Sequence, residues 1–218
     1  MSESKEVAIP LRQKKTSIQG ILSIPPEALT IVVFAHGSGS GRFSKRNQFV
    51  AEHLVKNGFA TLLMDLLTKE EEAVDEITRE LRFNIPFLAE RLIEVIEWLH
   101  EFPETKQLSP AYFGASTGAA AALVAAAQQG ESVTAVVSRG GRPDLASPVL
   151  KKVHAPTLLI VGGDDFGVIE LNQQAFDLLQ APKKLEIVPG ATHLFEEPGT
   201  LDEVIKLATA WFKQYCPH

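Results

Sequence analysis

One cysteine, Cys216, stands in the whole chain, so no disulfide framework can form within it. The opening stretch MSESKEVAIPLRQKK is too polar to read as a secretory leader. No apolar run approaches the roughly 18 residues that a membrane-spanning helix needs. Positive charge is also scarce: 21 Lys and Arg face 27 Asp and Glu, a formal net charge of −6. A nucleic-acid-binding surface normally shows as a basic excess, which this balance argues against. It also disfavours general attraction of anions, although a local basic pocket overrides the net sign within a Debye length of about 8 Å. These shortages lead us to expect a soluble cytoplasmic protein with no nucleic-acid or membrane partner. No signal for an oligomeric state is present. With 218 residues, 45% of them hydrophobic, one domain can bury a sizeable core and needs neither disulfides nor a structural metal to fold.

What is present alternates. Glu6–Ile9 and Thr16–Ile24 read as an opening hairpin or two edge strands, closed by Pro25-Pro26. Leu29–Ala35 is continuously apolar, the mark of a strand buried on both faces of a parallel sheet. The same signature recurs at Phe59–Met64, Ala111–Phe113, Val133–Val137, Thr157–Val161 and Leu185–Val188. Helical patterns lie between them. Ser44 can cap a helix that ends at Gly58, and Phe87, Leu88, Leu92, Val95, Ile96 and Leu99 fall on one stripe. An alanine-rich helix spans Ser116–Gln129, and the apolar positions from Leu201 to Tyr215 mark a last helix. Strands alternating with helices predict parallel βαβ units with right-handed crossovers. The acidic stretch Thr68–Arg79 reads as a solvated loop and helix start, or as a rim of a cleft; it is too short for a cap domain.

Gly114-Ala115-Ser116-Thr117-Gly118 spells G-x-S-x-G. By chance the string occurs in roughly one chain in fifteen of this length. Its placement between a buried strand and a helix is therefore what argues for a nucleophile on a sharp strand-to-helix turn. A dinucleotide loop is the rival for GASTGAAA, but alanine replaces the third glycine, several strands precede it, and no Tyr-x-x-x-Lys pair exists. Serine needs a base to take its proton. Among six histidines, His53 and His100 sit in predicted helices, His154 precedes a strand and His218 is terminal. The chain order nucleophile, acid, base selects His193 over His36. The acid should follow the seventh strand, in GGDDFG: Asp165 is preferred for its loop spacing and Asp164 stays open. For an oxyanion hole the candidates are the N–H of Thr117 and, in the loop His36–Arg42, that of Ser38, with Gly39 second. That glycine-rich loop lacks the lysine spacing of a phosphate-binding P-loop.

FAHGSGSGR, FGASTGAA, LLIVGGDD and PGATHLF follow one another in an order that resembles the α/β-hydrolase superfamily, and within it the dienelactone-hydrolase-like group. The resemblance spans nearly the whole chain. It implies an α/β-hydrolase fold with an eight-stranded, mostly parallel sheet, helices on both faces and no large lid. It also implies ester-type hydrolysis through a Ser116–Asp165–His193 triad, without a metal or cofactor. The chain departs from the group in carrying serine where dienelactone hydrolase has cysteine. Its fourth strand also ends in Asp65-Leu66-Leu67-Thr68 rather than Asp-x-Arg-Gly-x-Gly.

Ser138-Arg139-Gly140-Gly141-Arg142-Pro143-Asp144 should form the loop after the sixth strand. Arg139 or Arg142 there could bind a negative group of a small-molecule substrate, or else pair with Asp144 or another carboxylate. The leading expectation is a serine hydrolase of small soluble esters or thioesters. The rivals are a non-catalytic scaffold that binds a ligand or partner, and an acyltransferase using the same triad.

Overall fold

The computed structural model describes residues 4–12 and 16–218. Eight strands form one sheet: β1 (Ser4–Leu11), β2 (Thr16–Ser23), β3 (Thr30–Ala35), β4 (Ala60–Met64), β5 (Ser109–Ala115), β6 (Val136–Arg139), β7 (Thr157–Gly162) and β8 (Lys183–Val188). Their spatial order is β1-β2-β4-β3-β5-β6-β7-β8. β1 pairs antiparallel with β2, and β2 with β4; every pairing from β4 through to β8 is parallel. The architecture is the α/β-hydrolase fold. The apolar runs behave as the sequence indicated: β3, β4 and β7 are buried along their full length.

The helices are α1 (Lys45–Lys56), α2 (Lys69–Thr78), α3 (Ile85–Glu101), α4 (Thr117–Gln129), α5 (Phe166–Leu178) and α6 (Thr200–Tyr215). Because side chains alternate across a strand, the sheet carries two cores. On one face Ile31, Val33, Leu62 and Tyr112 pack under α3 and α4, against Leu92, Val95 and Leu123. On the other, Val32, Phe34, Phe113 and Ile160 pack under α1 and α6, against Leu54, Val204 and Phe212. The alanines of α4 let this central helix lie close to the sheet; Ala119 to Ala122 have no exposed surface.

Two expectations need correction. The sixth strand begins at Val136 rather than Val133 and runs through Ser138 and Arg139, so Arg139 ends a strand instead of opening a loop. Its register explains why: Ala115 pairs with Arg139, which extends the ladder to the end of β5. The acidic stretch is also not wholly solvated. α2 starts on a Thr68–Glu71 capping box, and Glu71 and Asp75 turn inward. Glu71 meets Arg91, while Asp75 accepts hydrogen bonds from the Leu81 and Arg82 backbone and from Arg82 Nε.

Since β3 to β8 are parallel, their carboxyl ends share one rim of the sheet. The segments after β3, β5, β6, β7 and β8 therefore converge there.

Candidate active site

Ser116 occupies the step between β5 and α4 with φ 51° and ψ −122°. A side chain pays for such a conformation, which persists only where the surroundings enforce it. Here they do. The Ser116 N–H donates to the Arg139 carbonyl at 3.3 Å, and the Ser116 carbonyl accepts from the N–H of Ala119 and of Arg142, each at 3.1 Å. The flanking glycines are required by close approach: a Cβ on Gly114 would strike the Ala119 backbone, and one on Gly118 the carbonyls of Ala35 and His36. The turn lifts the hydroxyl to the start of a 13-residue helix, where unpaired N–H groups and the helix dipole favour negative charge.

Asp165 stands just before α5, and its Oδ2 accepts from His193 Nδ1 at 2.7 Å. Asp164 is exposed, and its N–H donates to the Ala191 carbonyl. The ring's partner is thus Asp165, which fixes the proton on Nδ1 and leaves Nε2 able to accept one. The loop carrying His193 is tied down on both sides. Glu197 accepts from the Thr192 N–H and hydroxyl, at 3.1 and 2.5 Å, and Phe195 plugs the loop into the core with φ 55°. The hydrogen bond from the Thr192 side chain leads the causes that hold the Glu197 carboxyl below its ordinary range.

The loop after β3 is organised by His36. Its Nδ1 donates to the Gly37 carbonyl at 2.9 Å, and its Nε2 accepts from the Leu66 N–H at 3.0 Å. Only the neutral ring can do both. Burial pushes its pKa down, against the opposing pull of the Gly37 carbonyl and Asp65. His36 is therefore a pin beneath the loop. The Ser38 N–H donates to Thr117 Oγ1 at 3.0 Å, so the two candidate oxyanion residues touch one another.

Ser116, His193, Gly37, Ser38 and Arg139 line one cleft of about 260 Å³. Arg142 is not brought to it. Its guanidinium forms a two-pronged pair with Asp144, at 2.8 Å for each bond. Sequence reasoning missed Arg46 and Asn47, which line the same cleft from the start of α1. The available signal was the Ser44 cap, which puts a helix start directly after the glycine-rich loop. A neighbouring cavity of about 270 Å³ lies across the Gly37–Ser40 loop and is lined by Asp65, Glu72, Asp75, Glu76 and Arg82. Among the described residues no cluster of His, Cys, Asp and Glu suited to a metal ion is found. No helix among them is long and apolar enough to cross a membrane.

A strained serine between strand and helix, on this sheet, defines the α/β-hydrolase class. The model of the dienelactone hydrolase family matches residues 18–215, and the chain belongs to that family. Dienelactone hydrolase from Anabaena variabilis superposes with a TM-score of 0.96 at 54% identity, covering 99% of both chains. Est1E from Butyrivibrio proteoclasticus has a TM-score of 0.81 at 15% identity, covering 96% of this chain and 98% of its own, a likeness of fold. A curated relative from Mycobacterium tuberculosis is 59% identical over 195 residues, or 89% of this chain, and bears the name "Putative phosphoribosyl transferase". The chain spans 43% of that relative's length. Family and fold together support a hydrolase.

Proposed function

We propose that the chain is a serine hydrolase of small soluble esters or thioesters, working in the cytoplasm without a cofactor as one domain. The observation that carries the reading is the strained Ser116 sharing a cleft with a His193 ring held by Asp165.

In this mechanism Ser116 Oγ attacks the substrate carbonyl carbon and its proton passes to His193 Nε2. Asp165 stabilises the imidazolium that results. The carbonyl oxygen becomes an oxyanion and takes hydrogen bonds from the N–H of Thr117 and from that of Ser38, which it wins from the Thr117 hydroxyl. As the tetrahedral species collapses, the alkoxide or thiolate leaves with the proton from His193. A water then gives a proton to His193 and attacks the acyl-enzyme, releasing the acid and restoring the Ser116 hydroxyl. The cleft of about 260 Å³ suits a small acyl group.

Phosphoribosyl transfer displaces pyrophosphate from a sugar carbon and has no use for an acyl nucleophile. A cleft centred on a serine therefore favours acyl chemistry over the reaction in the relative's name. Acyl transfer to an alcohol would use the same residues, and product analysis with competing alcohols separates it from hydrolysis.

The test is turnover of p-nitrophenyl esters of varied chain length and charge. Ser116→Ala should lower kcat on the order of 10⁶-fold, as other triads do when the nucleophile is removed. Equal rates in the two proteins would overturn the proposal.

A further inference from the structure

Arg139 is 5% exposed, and no carboxylate pairs with it among the described residues. Its Nη2 donates to the neutral Asn47 Oδ1 at 3.1 Å, its guanidinium lies 5.9 Å from the centre of the Phe195 ring, and its Nε has no hydrogen-bond partner. A buried cation left in this state is costly, because desolvation is not repaid by an opposite charge. The charge that acts on it is that of another cation, Arg46. Burial, and after it the Arg46 charge, pushes the Arg139 pKa down to about 10. Arg46 likewise has a buried, unpartnered Nε, while its Nη1 reaches Glu196, a residue mostly in solvent, at 2.8 Å. Both arginines line the Ser116 cleft, together with Ser44 and Asn47 at the N-terminus of the 12-residue helix α1. Helix N-termini favour anions.

The position is also fixed relative to the nucleophile. Ala115 and Arg139 are register partners, and the Arg139 carbonyl accepts the Ser116 N–H. The strand pairing that holds the serine in its strained turn thus holds the base of this side chain one residue away. An arginine with a merely structural role would be expected to spend its donors on carbonyls or carboxylates, as Arg142 does on Asp144.

We propose that Arg139, Arg46 and the start of α1 form an oxyanion-binding subsite beside Ser116, and that the substrate is an ester bearing a carboxylate or phosphate group. This rests on the hydrolase reading for the word ester, whereas the subsite itself stands apart from it. The planar fork of Arg139 would turn its donors to two oxygens of the anion. Arg46 would add charge from the mouth of the cleft, exchanging its solvent-exposed bond to Glu196 for one to the ligand.

Two measurements test it. The first is calorimetric binding of inorganic phosphate and of succinate to the wild-type protein, to Ser116→Ala and to Arg139→Met. Wild type and Ser116→Ala should bind at least one of the two anions, and which one tells phosphate from carboxylate. Arg139→Met should weaken that binding by about 10–100-fold, the size of a charged hydrogen bond. The second is the ratio of kcat/KM for p-nitrophenyl hemiglutarate, or for a phosphate-bearing ester if phosphate is the anion bound, to that for p-nitrophenyl valerate. The ratio should exceed one in the wild type, fall by about 10–100-fold in Arg139→Met, and recover in part in Arg139→Lys. Arg46→Gln, at a half-exposed position, should lower the same ratio more mildly and covers the case in which Arg139→Met does not fold. Binding of neither anion by the wild type, or a ratio unmoved by Arg46→Gln and Arg139→Met, would overturn the subsite. If anions bind through Arg139 while no ester is hydrolysed, the subsite holds and the hydrolase reading falls.

Discussion

Asp164 and Asp165 are neighbours with different surroundings, and the difference gives a sharp comparison. Asp165 Oδ2 receives His193 Nδ1 at 2.7 Å, whereas Asp164 is exposed on the loop. An asparagine at 165 would present an N–H or a neutral oxygen to the ring, and would leave the imidazole without its orienting charge. Asp165→Asn should lower kcat by about 10⁴-fold, as the loss of a triad acid does elsewhere, while Asp164→Asn stays near the wild-type rate. Steady-state kinetics on one p-nitrophenyl ester checks both. The residue scale is also where the sequence was most legible. The G-x-S-x-G string fixes where Ser116 must sit, because only glycines fit at 114 and 118. The geometry is equally clear on Arg142 and Arg139, which the sequence could not tell apart. Two arginines three residues apart on one segment look alike as text. Only the fold shows that one meets Asp144 two residues on, while the other ends a strand and turns into the cleft.

At the scale of elements, the loops after the strands matter more than the strands themselves. His36 joins two of them, bonding the Gly37 carbonyl after β3 and the Leu66 N–H after β4. Because burial holds its pKa below the ordinary 6.5, the folded protein resists protonation there while the unfolded chain does not. Below pH 6.5 the unfolded state therefore binds more protons, and stability falls as pH drops, until the folded-state ring titrates as well. Each unit of pH in that window costs up to about 1.4 kcal/mol from this one group. Denaturant unfolding at pH 7 and pH 5 should show that loss in the wild type and a smaller one in His36→Gln; an equal loss in both would contradict the assignment. The buried strands were readable from apolar runs, because a parallel sheet covered on both faces leaves no alternation. Two elements were not. The helix α5 buries only Asn172 and Ala175, too thin a stripe to stand out as a period. The sixth strand carries Ser138 and Arg139, whose polarity hides the end of the ladder.

The whole molecule is a sheet whose parallel strands deliver their following loops to one rim, with the nucleophile near the middle of the strand order. β5, which leads into Ser116, lies between β3, which leads into the glycine-rich loop, and β6, which ends in Arg139. The acid and base come from β7 and β8 farther along the same edge. This arrangement brings residues separated by up to 157 positions, from Gly37 to Leu194, around one small cleft. The family assignment and the fold account for a hydrolase; the charges in the cleft would set what it hydrolyses. The central claim, that Ser116 is an activated nucleophile, is tested most directly by intact-mass analysis with a fluorophosphonate probe followed by peptide mapping. One adduct per chain, on the peptide that contains Ser116, abolished in Ser116→Ala and much slowed in His193→Ala, is the predicted result. A chain that stays unlabelled, or an adduct that persists in Ser116→Ala, would contradict it.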